Sequence, residues 1–497
     1  MISSPSDPPT AVAATTVTET VLGERCWGPR AALVDAGSGR VLSYDELTAA
    51  VTAAAWGLVR QGPGTVIGLQ APDGPDFVVA AYAVWAAGAV LVPVRAAAGA
   101  EETVRRLRAS GAHALITCPQ AAPRAWAVAR GAALQRMWCL GEADGGTGLE
   151  PFARLAEEPA ADRIPPVRDA GAALLADAPG GSGPGTWLTH RQVIEGLVRF
   201  ATAGALSGSD VVLSGIPFTD VLGLNGVLGP ALWLGATVVT CRGGLHDLLR
   251  AVQDHRVTVA VLPPAAASAL AAEPAVGHYD LGSLRSVLVA GPLPGRLARA
   301  CSRRLGCPVR QVYGHPAASG FTHLNLRGAE EGTLDSAGCG LPGVSWRIAD
   351  PATGRARPPY QPGELWLRGP MVAAPGGGWL PTGDAAFTDE HDRVYILGRM
   401  EETPGEPVAD PGRLLAAHPA VRDAAVVPVP DPHLGLAPHA FVVLGKPEQA
   451  GGLLPYVNGH VPSYQRIQAV HPVDAIPRSP SGRVMRRALL QSVHLSP

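Results

Sequence analysis

The chain is expected to adopt an α/β fold: a large N-terminal domain of several subdomains with helix-covered sheets and a β-rich subdomain, then a small α+β C-terminal domain. Three observations predict it. Alanine- or leucine-rich helical runs alternate with β-branched strands through most of the chain, a pattern that covers sheets with helices. From about Gly338, Gly and Pro punctuate short strands instead. A Pro- and Gly-bearing stretch from Glu401 to Gly412 then sets apart a final segment of roughly 90 residues, a plausible size for a small domain.

The elements follow in order. Residues 1–15, beginning Met1-Ile2-Ser3-Ser4-Pro5, read as a disordered leader, because no basic segment precedes an apolar run as in a signal peptide. Ser43 to Val59 is helical, with Ser43 as N-cap and Glu46 three residues on, the spacing of a capping box. Thr65 to Gln70 is a strand, Glu102 to Ser110 an Arg-bearing helix, and Ala114 to Thr117 a strand. Two long uncharged runs, Phe77 to Val94 and Val221 to Cys241, approach the length needed to cross a bilayer. Gly88 and Pro93 interrupt the first, and Gly223, Gly226, Gly229, Pro230 and Gly235 the second. Each resolves into a helix followed by a strand, Ala89 to Val94 and Ala236 to Thr240. Further on, Leu245 to His255 is helical, and Thr258 to Leu262, Leu284 to Val289, Val344 to Ile348 and Glu364 to Arg368 are extended. The expected domains are 16–398 and 399–497.

Composition narrows the function. The 497 residues are 47% hydrophobic and 16% charged with a net charge of -2, enough to bury large cores. No chain-wide field exists to attract nucleic acid or an anionic membrane. Seven cysteines form no CxxC pair, as in a reducing cytoplasmic setting. Cys301 and Cys307 read as packing thiols. His190, His278, His315, His391, His418 and His433 lie far apart without ligand spacing, so no metal cluster is assigned. Of 40 basic residues only Lys446 is a lysine.

Short motifs then recur in a fixed order: Leu42 to Leu47, Gly88-Ala89-Val90 with Pro93, Gly235-Ala236-Thr237, Leu284 to Pro294, Tyr313-Gly314, Gly363-Glu364-Leu365, Thr382-Gly383-Asp384 and Gly398-Arg399. Taken singly each is weak, and together they cover nearly the whole chain. In that order the sequence resembles the adenylate-forming superfamily of acyl- and aryl-CoA synthetases, nonribosomal peptide adenylation domains and luciferases, closest in texture to the 4-coumarate-CoA-ligase-like branch. The resemblance implies a two-step reaction. A carboxylate attacks the α-phosphate of ATP to give an acyl adenylate and pyrophosphate, and a thiol then releases AMP. It implies ATP/AMP, Mg and CoA or phosphopantetheine as cofactors, with an aryl or acyl carboxylic acid or its thioester, and a carrier protein, as partners.

The resemblance also places site residues. Gly181 and Gly185 fall in the phosphate-cradling loop, in register with Thr189-His190. Gly291 lies in the turn after Leu284 to Val289, and Tyr313 and Gly314 stand where the family packs an aromatic ring on adenine. Asp384 is at the ribose-binding position, Arg399 at the hinge, and Asp220 where a histidine usually flanks the acyl pocket. Arg483, within Pro480-Ser481-Gly482-Arg483, holds the place of the reactive lysine.

Several positions depart from the pattern. Pro184 replaces the loop lysine, removing a charge and a donor, and Asp177 is expected to repel triphosphate. Pro316 and Ala317 replace the family's Thr and Glu, so neither phosphate contact nor magnesium ligation is expected there. The path after Arg399 is shortened. Arg483 offers a broad, planar cation where a compact ammonium is usual. The arginines of Val104 to Arg108 are too remote in sequence to be assigned to the vacated phosphate position.

The main expectation is therefore a degenerate active site whose ATP-dependent carboxylate activation is impaired or altered. An active AMP-forming acid-CoA or acid-carrier-protein ligase stands beside it, as do a noncatalytic binding or scaffold homologue and an ATP-independent acyl-thioester enzyme. Asp384 and Arg399 have a plainer reading as an ion pair in a surface turn, and Asp220 as a helix cap.

Overall fold

The computed structural model describes residues 15–23, 27–62, 66–141, 148–157, 161, 163–167, 171–177, 185–325, 334–359, 361–400, 411–431, 435–445, 451–459, 461, 467–477, 484 and 489. Among them two large sheets dominate. The first strands are β1 (Ala31–Asp35), β2 (Val41–Ser43), β3 (Val66–Gln70), β4 (Val90–Val94), β5 (Ala114–Thr117), β6 (Arg136–Cys139), β7 (Glu150–Pro151), β8 (Ala172–Ala176) and β9 (Thr186–Thr189). Of these, β3 to β9 form a seven-stranded sheet in the order β7-β6-β5-β3-β4-β8-β9. All its pairings are parallel except β8 with β9.

The second sheet has nine strands. It adds β10 (Val211–Ser214), β11 (Thr237–Thr240), β12 (Val259–Leu262), β13 (Ser286–Ala290), β14 (Val309–His315), β15 (Gly320–Leu324) and β16 (Cys339–Gly340) to β1 and β2. Its order is β16-β15-β14-β13-β12-β10-β11-β1-β2. The six strands from β14 to β1 run parallel, and both edges are antiparallel. Strands such as β4, β5 and β12 are almost wholly buried, which is why they read as continuous apolar runs rather than alternating ones.

The covering helices are α1 (Tyr44–Arg60), α2 (Pro75–Ala86), α3 (Ala100–Ser110), α4 (Ala122–Ala132), α5 (His190–Thr202), α6 (Gly229–Leu234), α7 (Leu245–Asp254), α8 (Pro264–Ala272) and α9 (Gly295–Leu305). The capping box expected at Ser43 is present. Its hydroxyl accepts from Glu46 N–H, and the Glu46 carboxylate accepts from Ser43 N–H at 2.8 Å. A second box, Thr189 with Gln192, starts α5. The two uncharged runs are buried helix-strand pairs. The first is α2 with β4, and the second is a π-helical turn over Leu222–Leu228 that continues into α6 and β11. No described helix is long and apolar enough to cross a membrane.

The β-rich part is an antiparallel sheet of β17 (Ser345–Ala349), β18 (Gly363–Arg368), β19 (Leu380–Thr388) and β20 (Val394–Arg399). The final part has α10 (Pro411–Ala417), β21 (Val421–Asp431), β22 (Gly435–Leu444), α11 (Leu453–Asn458) and β23 (Ala469–Pro472), with its three strands in one sheet. Leu414, Leu415, Val421 and Val442 share a core with Ala385, Phe387 and Leu397 of β19 and β20. Pro411 and Gly412 do not belong to the linker, as the sequence suggested, but open α10. Proline is well suited to a first helical turn, where its missing N–H has no intrahelical partner to lose.

Candidate functional site

The parallel strands β14, β13, β12, β10, β11 and β1 end on one edge of the nine-stranded sheet, and that edge carries Gly291, Tyr313 and Gly314. The chain order reverses at β10, which lies between β12 and β11; ligands of open α/β sheets bind in the crevice outside such carboxyl ends. A cavity of about 260 Å³ opens there, lined by Ser214, Gly215, Cys241, Gly243, Leu248 and Pro263 among others. Its lining does not include Tyr313 or Asp384, so the cavity and these two residues are separate places.

Gly291 leaves β13 at φ +132°, a conformation that favours glycine. Its N–H donates to Val312 O of β14 at 3.1 Å. The Gln311 amide donates to Leu293 O at 2.8 Å and Leu334 O at 2.7 Å, pinning the turn after Gly291 to β14. Gly314 is fixed by space: a Cβ there would lie 2.5 Å from Gly320 O and 2.6 Å from Leu222 Cδ2.

Tyr313, Asp384 and Arg399 form one connected group. The Tyr313 hydroxyl donates to Asp384 Oδ2 at 2.6 Å, and Arg399 Nη1 donates to Asp384 Oδ1 at 3.0 Å and to Thr382 O at 2.9 Å. Asp384 and Arg399 are register partners on β19 and β20. Both lie within strands, so the ion pair is real but does not sit in a surface turn. Burial, reinforced by the Asp384 charge, pushes the Tyr313 phenol well above its ordinary range, which keeps it a donor. A carboxylate has about four lone-pair positions, so Asp384 retains acceptor capacity beyond these two bonds.

Pro316 and Ala317 form a short 3₁₀ turn after β14. The buried Ala317 has no ligand oxygen, and among the described residues no group of three or more His, Cys, Asp or Glu could hold a metal. Pro316 and Ala317 themselves bring no side-chain oxygen to this turn. His315 is buried beside it. Its Nδ1 accepts from Ala317 N–H at 3.2 Å, while Nε2 has no well-formed hydrogen bond. Burial lowers its pKa, opposed by the Asp384 charge and the nearby Thr382 carbonyl.

At the end of β8 the structure corrects two expectations. Asp177 is not a bare repulsive charge: it is ion-paired with Arg106 of α3, and Arg106 is not remote from the phosphate-loop position. β4 and β8 are paired neighbours, and α3 follows β4, so the crossover returns the helix to this strand end. Arg106 Nε also donates to Pro93 O at 2.7 Å and Nη2 to Leu175 O at 3.2 Å. Sequence distance concealed the contact; the β4-α3 connection was the available signal.

Asp220 caps the helix that begins at Val221, accepting from Leu222 N–H at 2.8 Å, as its plainer reading proposed. Its side chain is reached by solvent yet surrounded by protein. Burial raises its pKa, the Leu222 N–H opposes this, and the Asp177 charge adds to the rise. Just upstream, Phe218 N–H donates to Asp73 Oδ1 at 3.0 Å.

Gly185 sits before β9 at φ +76°. Gly181, Pro184, the path from Glu401 to Asp410, and Arg483 lie outside the described residues. Cys301 and Cys307 pack in a buried cluster, and burial pushes their thiols up to about 12 and about 11, which suits packing and not nucleophilic attack.

The structure thus combines two helix-covered sheets, a phenol-carboxylate-guanidinium group that joins β14 to the four-stranded sheet, and a small C-terminal α+β part. The AMP-binding enzyme family matches residues 24–165 and 184–375, and the AMP-binding enzyme C-terminal domain matches residues 413–483. The chain belongs to this adenylate-forming family. The interruption at 166–183 contains Asp177 and Gly181. Similar proteins include 4-coumarate--CoA ligase-like 9 of Oryza sativa subsp. japonica, 33% identical over 97% of this chain and 94% of the relative. Another is 4-coumarate--CoA ligase 5 of the same organism, 31% identical over 93% and 91%. Among solved structures, amide bond synthetase McbA from Marinactinospora thermotolerans has a TM-score of 0.73 and 26% identity over 95% of this chain and 98% of that one. The anthranilate CoA ligase AuaEII, in complex with anthranoyl-AMP, matches in fold with a TM-score of 0.73 and 21% identity over 96% and 97%.

Proposed function

We propose that the chain is an AMP-forming ligase that activates an aryl or acyl carboxylic acid with ATP and passes the acyl group to a thiol, at a rate below that of ordinary members. The Tyr313-Asp384-Arg399 group carries this reading. A flat aromatic ring, a carboxylate with free lone pairs and a tethered guanidinium suit adenine, ribose and the interdomain hinge in turn. Gly291 takes the φ of +132° that the turn after β13 needs, Gly314 lets β14 pack closely against Gly320 and Leu222, and Gly181 and Gly185 hold family positions of the phosphate loop. The full-length similarity to 4-coumarate--CoA ligases supports the substrate class. Residues 16–398 would form the large domain and 399–497 the small one that brings Arg483 to the reacting carboxylate.

The reduced rate follows from side chains. Ala317 brings no magnesium ligand, Pro316 no phosphate donor, and Arg483 a guanidinium in place of a compact ammonium. Loss of one donor aimed at the transition state costs on the order of 10²- to 10³-fold. Acid-dependent exchange of pyrophosphate into ATP, run over a panel of aryl and fatty acids, should show slow exchange with at least one acid. Arg483→Lys should accelerate it. A silent panel at high enzyme concentration would remove the ligase reading, and an unchanged rate in R483K would remove the assignment of position 483. Product analysis with CoA or with an amine then assigns the second half, because one similar structure is an amide bond synthetase.

A further inference from the structure

The phosphate loop has lost its lysine, and the chain offers almost none elsewhere: Lys446 is the single lysine. Apart from Lys446 and protonated histidine, any side-chain cation that meets a polyphosphate here is therefore an arginine. Arg106 stands at the strand end from which the loop departs. Its guanidinium is held by Pro93 O and Leu175 O, at the ends of β4 and β8, and by the Asp177 carboxylate. The partners differ in freedom. Arg106 has a side chain 18% exposed and is braced by two carbonyls, whereas Asp177 is 44% exposed. The cation is the more enclosed and more braced partner, and the counter-ion the more exposed one.

We propose that Arg106 is the phosphate-facing cation of this site and that Asp177 is its resting counter-ion, displaced when a polyphosphate binds. This rests on the ligase reading for its substrate, ATP, while the anion site stands on its own geometry. The exchange is chemically balanced, because a phosphate oxygen takes the fork that the carboxylate vacates and the number of ion pairs is conserved. Guanidinium matches phosphate and carboxylate alike through parallel N–H donors. Arg95, paired with Glu102 at 2.6 Å, also feels the Asp177 charge, as does Asp220. At rest the surrounding charges therefore comprise two guanidiniums and the carboxyl groups of Glu102, Asp177 and Asp220. Such a cluster does not attract an anion until Asp177 withdraws, so the carboxylate competes directly with the ligand.

Calorimetry on the full chain with ATP, AMP and inorganic pyrophosphate tests this. Arg106→Gln should weaken ATP and pyrophosphate by roughly tenfold or more, the scale of a lost hydrogen bond to a charged group, with AMP little changed. Arg106→Lys should fall between. Asp177→Asn, which keeps an acceptor for Arg106, should tighten both polyphosphates by roughly threefold or more by removing a competing charge. Equal effects on ATP and AMP in R106Q, weaker pyrophosphate binding in D177N, or no pyrophosphate binding by either the parent or D177N would overturn the proposal. Arg106-dependent pyrophosphate binding without acid-dependent exchange would leave this site standing and sink the ligase reading. Exchange that persists in R106Q with an unaltered KM for ATP would do the reverse.

Discussion

Asp384 is the residue on which most of the candidate site converges. It accepts from Tyr313 and Arg399, and its own N–H donates to Thr382 Oγ1 at 3.1 Å. Asp384→Asn replaces one acceptor oxygen by an amide donor, so a donor faces either the Tyr313 hydroxyl or Arg399. AMP binding should weaken by about tenfold or more through the lost charged acceptor, and the melting temperature should fall. Unchanged AMP affinity with a lower melting temperature would make Asp384 a brace between strands and nothing more. Tyr313, Asp384 and Arg399 were all legible as site candidates in the sequence, each through a short motif. Their mutual bonds were not, because Tyr313 and Asp384 are 71 positions apart and meet only when β14 and β19 are placed. Arg106 and Asp177 are separated by the same interval, and no motif marked Arg106.

At the scale of elements, legibility followed the range of the signal. The start of α1 was readable because its capping box closes within four residues, Ser43 to Glu46. Ser43→Ala should cost about 1 kcal/mol locally. Hydrogen exchange over the first turn of α1 measures this directly and avoids assuming one cooperative unfolding of a chain this large; unaltered protection there would mean that packing alone holds the turn. The helix after Asp220 was less legible, since its glycines resemble breaks. A Cβ on Gly223 would lie 2.2 Å from Pro217 O and one on Gly226 2.8 Å from Phe321 Cε2. These glycines allow close packing inside a continuous helix, and the Asn225 amide secures the same stretch to Val193 O at 2.9 Å. The Gly226 and Asn225 contacts come from chain segments far away, which no local window contains. The linker's end shifted for a related reason: Pro411 and Gly412 resemble a loop by composition but occupy a helix start.

Across the whole molecule, repeated α/β units were legible from alternation, whereas the division into seven- and nine-stranded sheets depends on which distant strands pair. Asp73 ties those sheets together. It follows β3 of one sheet and accepts from Phe218 N–H, just beyond β10 of the other, beside the Phe77 and Phe218 rings at 6.0 Å. Burial raises its pKa from 3.8 to about 6, with the Phe218 N–H and the Arg242 charge opposing. A carboxyl raised on folding favours the folded state most when protonated. Its contribution is therefore fully present below about pH 4, declines as pH rises towards 6, and stays low above that. Asp73→Asn keeps an acceptor for Phe218 but cannot ionise. The melting temperature of this variant should gain on the parent between pH 4 and 6 and hold that gain at pH 7. A difference that does not vary with pH, or one that grows in the parent's favour as pH rises, would show that Asp73 is already ionised without penalty. In that case the charge of Arg242, which also holds Asp35 at 2.6 Å, would be the stronger influence on the junction between the sheets.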